Sequence, residues 1–450
     1  MKNRNRSNNR SAMLCTAVSL ILVFLAGCSG NTSTTPDAQS SASTAPQASS
    51  SASNGEAIEL SYYFPIQASG PLAVAMEKIV NDYNESQSDI HVNFTFTGDY
   101  AATMEKTLTA VNGGNAPHVV LASDSHKLLE MGALVNINDM IAKEPSSFKD
   151  DYIPNFFPAF VDPTNNSFQH SMPYQISSSI MLYNKEVLAD AGLDPESPPT
   201  TWSELETVTQ AIKAHDSKLI PFEFMDDGWM GQALVRSNGG YINKDLDNMN
   251  LDSPEHIEQV EFFKGLQDDG LVKMNKSYGG VAENFIAGTS AVILNTSGSL
   301  GNIVNTADFN FGVAPVPAKD GKESVNVMGG GGLIILNKHP QEEINASWEF
   351  VKYLTGPEAA AEWMAVSGYF AVNKLAYEEP VLKTLFEEKP QYEQLSKLAP
   401  TLEKVYRVRK NSSEMNTLIN NVFDEIYLNN ADIAAALQQA QKDAQALLAD

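Results

Sequence analysis

Ile58-Glu59-Leu60-Ser61-Tyr62-Tyr63-Phe64 opens the stretch whose reading decides the fold. The segment is apolar, with β-branched and aromatic residues at its edges, which predicts a strand. Leu72, Met76, Ile79, Val80 and Tyr83 then recur at helical spacing. Val92, Phe94 and Phe96 alternate within a second strand, His91 to Phe96. Tyr100, Met104, Leu108 and Val111 form another helical stripe, stopped by Gly113-Gly114, and Val119 to Ala122 reads as a buried strand. A β-α-β-α-β order predicts an α/β fold built on an open, mostly parallel sheet with helices on both faces.

Outward from that stretch the same grammar continues. Thr201-Trp202-Ser203-Glu204 has the capping-box pattern and predicts a helix to about His215. Ser253-Pro254 predicts another, with Ile257, Val260, Phe263 and Leu266 on one face until Gly270. Ser290 to Leu294 and Leu333 to Leu336 read as short strands, and Pro357 to Val366 and Ala431 to Leu448 as late helices. A body from about Glu56 to Asp450 is too long for one ordinary core, so two lobes are expected.

Upstream, Lys2, Arg4, Arg6 and Arg10 precede an apolar run from Ala12 to Ala26, the architecture of a secretory signal. That run falls short of the roughly 20 residues needed to span a bilayer. Leu25-Ala26-Gly27-Cys28 resembles a bacterial lipobox, which implies cleavage after residue 27 and acylation of Cys28. Residues 29–54 are almost wholly Ser, Thr, Ala, Pro, Gln and Asn, a composition expected to remain a disordered tether between anchor and body.

Composition excludes several functions. The formal net charge is -25, and the first 27 residues hold four bases and no acid, so the mature chain is more acidic still. Such a chain repels phosphodiester backbones, which argues against nucleic acid as a partner. The two cysteines are Cys15, inside the signal, and Cys28. The mature fold therefore has no thiol for a disulfide, a metal or a nucleophile.

The motifs that invite an enzymatic reading lack their contexts. Gly329 to Gly332 precedes a strand instead of a helix and lacks a following Gly-Lys-Ser/Thr, so close backbone approach to a ligand, or flexibility, suits it better than a phosphate loop. His118 and His126 are eight apart and no His-Glu-x-x-His occurs, so no metal is expected. Ser146-x-x-Lys149 lacks its Ser-Asp-Asn and Lys-Thr-Gly companions. A carboxylate pair of a cell-surface glycoside hydrolase remains the rival reading, since any two Asp or Glu residues suffice. Tyr100 and Trp202 open helices, and Trp229 and Tyr369 adjoin glycine. Together they resemble the flat apolar walls that bind sugar or polyol faces.

The chain resembles the extracellular solute-binding proteins of bacterial ABC importers, family 1, and within it the branch that binds glycerol 3-phosphate. The resemblance rests on Gly113-Gly114-Asn115-Ala116-Pro117, Met172-Pro173-Tyr174 through Leu182-Tyr183-Asn184-Lys185, Ala191-Gly192-Leu193-Asp194-Pro195 and Thr200-Thr201-Trp202. Thr296-Ser297-Gly298-Ser299-Leu300 and Ala361-Glu362-Trp363 with Gly368-Tyr369 continue it in order. It implies a periplasmic-binding-protein-like fold of type II, with two α/β lobes joined by a three-segment hinge that crosses near Ser177, Gly331 and Leu375. Lobe 1 would comprise residues 56–176 and 331–375, lobe 2 residues 177–330 and 376–450.

By motif the family's ligand residues carry over to Tyr100, Asp124 (usually Glu), Ser177, Trp202, Thr296 (usually Ser), Gly330 and Tyr369. Trp229 joins them as a loop aromatic on the second lobe. The arginine that meets phosphate in that branch falls on Asn416, with Arg407 and Arg409 as nearby substitutes. Without an arginine fork, a neutral sugar or a monoanionic diester suits the site better than a phosphate monoester. The expected partners are an ABC permease and the bilayer that holds Cys28; no cofactor and no catalysis are expected.

Overall fold

Most strands contain a cluster of β-branched or aromatic residues, whereas the last opens on Met328 and four glycines. In the computed structural model the strands are β1 (Ile58–Phe64), β2 (Ile90–Phe96), β3 (Val119–Ala122), β4 (Met172–Asn184), β5 (Ile220–Phe224), β6 (Val272–Met274), β7 (Ser290–Thr296), β8 (Phe311–Ala314) and β9 (Met328–Ile335). The structure describes residues 57–66, 68–157, 169–243, 245, 247–404, 408 and 411–449. The expected signal, the tether and Cys28, together with Arg407 and Arg409, lie outside the described residues.

The strands join one sheet in the order β2-β1-β3-β9-β4-β7-β5-β6, with β8 also paired to β4. The expectation of a mostly parallel sheet meets a mixed one. β1 is parallel to β2 and β3, and β5 is parallel to β6 and β7. Between these two parallel halves, β9 runs antiparallel to β3 and β4, and β4 antiparallel to β7 and β8. The reason is connectivity: β4 and β9 enter from opposite halves and pass each other, whereas the β-α-β units on either side must return parallel.

The two crossing strands are therefore the centre of the molecule. β4 is buried along all 13 residues. Its first part, Met172 to Ser178, pairs with β9, and from Ser179 onward it pairs with β7 and β8. β9 pairs with β4 through Met328–Leu333 and with β3 through Gly332–Ile335. The glycine run thus lies inside a strand. Gly330 has φ 94°, and a Cβ there would collide with the Gln175 carbonyl oxygen, so only glycine fits. A third crossing follows Tyr369: Phe370 N donates to Ile176 O at 2.8 Å, and Asn373 bridges to Phe156.

Two large apolar cores flank the sheet, with a smaller cluster around Val120, Leu128 and Ile334. One joins β1–β3 to helices Gln341–Leu354 and Pro357–Ser367 through Tyr62–Phe350 and Phe64–Trp363 ring pairs, and continues under helices Tyr278–Ile286 and Leu300–Thr306. The other packs helices Trp202–His215, Met230–Arg236, Pro254–Asp268, Ser412–Tyr427 and Ile433–Ala449 on the β5 side. The capping box forms as the sequence predicts: Thr201 accepts from Glu204 N, and Glu204 reaches back to the Thr201 N–H.

Candidate ligand site

Because β9 is stripped of side chains for four residues, neighbouring side chains close in on its backbone. A Cβ on Gly329 would sit 2.8 Å from Trp229 Cε2 and 2.9 Å from Ser177 Oγ. A Cβ on Gly331 would sit 3.0 Å from Tyr100 Cε1. Ser177, Trp229 and Tyr100 therefore meet along one short piece of strand, with Gly330 between them. Trp229 also donates its indole Nε1–H to Met328 O at 3.1 Å. Tyr100 opens helix Tyr100–Asn112, whose first turn is capped by Asp99 accepting from Ala102 N.

Tyr369 and Thr296 meet one step along β4. The Tyr369 ring lies over Gly298, where a Cβ would come within 2.7 Å of its Cζ. Thr296 ends β7 opposite Ser179, and its hydroxyl accepts from Gly298 N at 3.3 Å, forming the turn that Tyr369 covers. Burial raises the Tyr369 phenol above its ordinary range, opposed in part by a hydrogen bond from Gln175. Asp124 lies two residues beyond Ala122, the register partner of Gly332. Its Oδ1 is 3.0 Å from both the His126 N–H, which donates to it, and His126 Nδ1.

Tyr100, Asp124, Trp229, Thr296, Gly330 and Tyr369 are all half-buried, and Ser177 is 4% exposed. Trp202 behaves otherwise. It too is 4% exposed, but its ring stacks on Phe262 at 4.7 Å and sits edge-on to Phe263, within the β5-side core. The indole that the helix start brings inward is spent on packing. Asn416 lies near Trp229's neighbour, its Oδ1 3.6 Å from a Cβ built on Gly228.

Sequence reading missed what stands behind Trp229. Asp227 Oδ1 accepts from Trp229 N at 3.0 Å, Met230 N at 2.7 Å and the Tyr278 hydroxyl at 2.8 Å. The neighbouring Asp226 accepts from Tyr427 Oη at 3.0 Å and from Gln259 Nε2 at 3.3 Å. Burial pushes the Asp226 carboxyl up to about 7 and raises that of Asp227, the latter opposed by its three donors. Only the Asp-Asp-Gly-Trp order hinted at this, and short carboxylate pairs are usually surface.

Two other features draw attention and hold none of these residues. A groove of about 770 Å³ between helices Ser412–Tyr427 and Ile433–Ala449 is floored by Leu418, Val422 and Ala440 and edged by Glu414, Glu425 and Asp443. Thr417, Asn421 and Gln439 also line it, and it lies on the outer helices away from β9. Far apart in sequence, His118, His339 and Glu343 also gather within 4.8 Å of one another. Ser61 N donates to His118 Nδ1 at 3.0 Å, so the proton sits on Nε2 and points at Glu343 Oε2, 2.9 Å away. In this arrangement His118 ties the entry of β3 to the helix Gln341–Leu354.

Comparison with known proteins supplies the family. The profile of the bacterial extracellular solute-binding proteins matches residues 78–394. The chain belongs to that family. It is 26% identical over 337 residues to the sn-glycerol-3-phosphate-binding periplasmic protein UgpB of Yersinia pseudotuberculosis, covering 71% of this chain and 76% of that protein. The corresponding protein of Escherichia coli K12 is 25% identical over 336 residues, covering 71% of this chain and 76% of that one. Among solved structures, UgpB of Mycobacterium tuberculosis with glycerophosphocholine superposes with a TM-score of 0.76 at 21% identity, over 88% of this chain and 98% of that one. The cyclic α-maltosyl-1,6-maltose binding protein of Arthrobacter globiformis gives 0.74 at 21% identity, over 87% and 99%. The fold is that of the type II solute-binding proteins, two α/β lobes joined by crossing segments. Family members of this kind are extracytoplasmic binding proteins. No described helix is long and apolar enough to cross a membrane.

Proposed function

We propose that this chain is the receptor of an ABC importer, that it captures a sugar, a polyol or a glycerophosphodiester without covalent chemistry, and that it hands the ligand to a membrane permease. Tyr100, Asp124 and Tyr369 would meet the ligand from one lobe, with Ser177, Trp229, Thr296 and Gly330 from the other and from the crossing strands. Closure of the lobes would stabilise the state that the permease reads. Acylation of Cys28 would hold the protein at the cell membrane, facing outside the cytoplasm.

The observation that carries this reading is the bare β9 backbone with Ser177, Trp229 and Tyr100 pressed against it. Flat rings beside half-buried strand backbone suit a polyol face, which offers both apolar and hydroxyl surface. Asn416, near Gly228, offers neutral donors where the resemblance puts an arginine. A phosphate dianion would need a charged fork to offset its desolvation. The family match and the structural likeness to sugar- and glycerophosphocholine-bound proteins support a receptor over a hydrolase.

Calorimetric titration with maltose, glycerophosphocholine and sn-glycerol 3-phosphate tests the reading. One of the first two should bind more tightly than the third, and Asn416→Arg should shift preference toward the monoester. Tight binding of sn-glycerol 3-phosphate by the unaltered protein would overturn the charge argument; steady hydrolysis of a glycan would overturn the receptor itself.

A further inference from the structure

The strands and turns that carry Trp229 and Thr296 are joined by a chain of hydrogen bonds that no ligand is needed to complete. Asp227 Oδ1 receives three donors: the N–H groups of Trp229 and Met230, which fix the start of helix Met230–Arg236, and the Tyr278 hydroxyl. Tyr278 opens helix Tyr278–Ile286, and its ring meets the Trp229 ring edge-on, with centroids 5.8 Å apart at 74°. Its carbonyl oxygen in turn accepts from Asn295 Nδ2 at 2.9 Å. Asn295 is fully buried, and its Oδ1 accepts from Thr296 N at 2.8 Å and from Ser299 Oγ at 3.0 Å.

From these contacts we infer that Asp227, Tyr278 and Asn295 are positioning residues: they tie the Trp229 indole and the Thr296 turn into one pre-formed wall of the ligand site. The inference rests on the reading of Trp229 and Thr296 as ligand contacts. Its physical basis is the indole's geometry. Trp229 is held at three points: its backbone N–H on Asp227, its ring edge on Tyr278, and its Nε1–H on Met328 O. A ring fixed in that way loses little freedom when a ligand arrives, whereas a loose ring must be ordered by the ligand at a cost in affinity. A carboxylate accepting several hydrogen bonds makes the anchor strong, since charge-assisted bonds are roughly twice as strong as neutral ones. Asp226 ties the same turn to Tyr427 of helix Ser412–Tyr427, the helix that brings Asn416 and Ile419 against Gly228.

The test separates positioning from ligand choice. The four tryptophans, Trp202, Trp229, Trp348 and Trp363, would be labelled as 5-fluorotryptophan in the whole protein, and the Trp229 line assigned by Trp229→Phe. Without ligand, Asp227→Ala and Tyr278→Phe should each broaden or split the Trp229 fluorine line while leaving the Trp202, Trp348 and Trp363 lines in place. Asp227→Asn, which keeps an acceptor for the two backbone N–H groups, should recover a single line. In titrations with maltose and glycerophosphocholine, Tyr278→Phe should bind the preferred probe about tenfold more weakly, the loss that one hydrogen bond to a charged group carries. An unchanged Trp229 line in Tyr278→Phe, or unchanged affinity beside a disturbed line, would overturn the inference. If the parent protein binds neither probe, the receptor reading is what fails, and the ligand-free fluorine spectra still decide the positioning network. Should Asp227→Ala fail to fold, Tyr278→Phe gives the same readout without losing a carboxylate.

Discussion

Two tryptophans that look alike in sequence have opposite surroundings. Trp202 and Trp229 both stand at helix starts, yet Trp202 lies among Leu205, Phe262 and Phe263, and Trp229 lies half-buried against Gly329. Removing Trp202 empties a packed space, so Trp202→Ala should cost about 3–5 kcal/mol in stability with ligand affinity nearly unchanged in the fraction that folds. On the proposed reading, removing Trp229 strips a ligand wall and only trims the edge of the core. Trp229→Ala should weaken binding roughly 30-fold, the scale of a buried aromatic anchor of about 2 kcal/mol. Urea denaturation and calorimetric titration of both variants check this, and a Trp202→Ala protein that is stable but binds poorly would reverse the assignment.

The turn after β5 and the helix Pro254–Asp268 carry two buried titratable groups with opposite habits. Asp226 is raised from 3.8 to about 7, chiefly by burial, with the Gln259 and Tyr427 hydrogen bonds pulling the other way. His256 is lowered from 6.5 to about 4, again chiefly by burial, against the bond from its ring to Leu251 O. Asp226 keeps its proton in the fold where the unfolded chain has lost it, so its contribution is present below about pH 4 and is lost as pH rises through about 7. His256 stays neutral in the fold while the unfolded chain binds a proton, so its contribution grows as pH rises from about 4 to about 6.5. Between these limits the two slopes oppose each other. Asp226→Asn removes one of them, so the variant should gain stability relative to the parent as pH is raised from 5 to 7.5. Urea melts at the two pH values measure this, and an equal difference at both would mean that the Asp226 carboxyl is already ionised in the fold.

At the scale of the whole molecule, the acidic body and the proposed anchor work together. A protein with net charge -25 is repelled by anionic lipid surfaces, so the proposed attachment would rest on acylation of Cys28 instead of surface attraction. Cys28→Ala should abolish lipid labelling and release the protein from the membrane fraction while leaving ligand titration unchanged. Retention of the variant in washed membranes would point to another attachment.

What the sequence determined alone is what local chemistry sets. Periodicity placed β1, β3, the helix Tyr100–Asn112 and the capped helix at Trp202 to within a residue or two, because strand and helix patterns are short-range. Motif order reached the family, and glycine's lack of a side chain marked Gly329 to Gly332 as a place of close approach. The tertiary structure decided the rest. That the glycines lie inside β9, that the halves meet through antiparallel strands, and that Trp202 packs inward while Trp229 does not all depend on partners more than 50 residues away. The Asp227–Tyr278–Asn295 chain was invisible for the same reason. Its members are ordinary residues 51 and 17 positions apart, and only the crossing of helix and strand brings a carboxylate, a phenol and an amide within hydrogen-bonding distance.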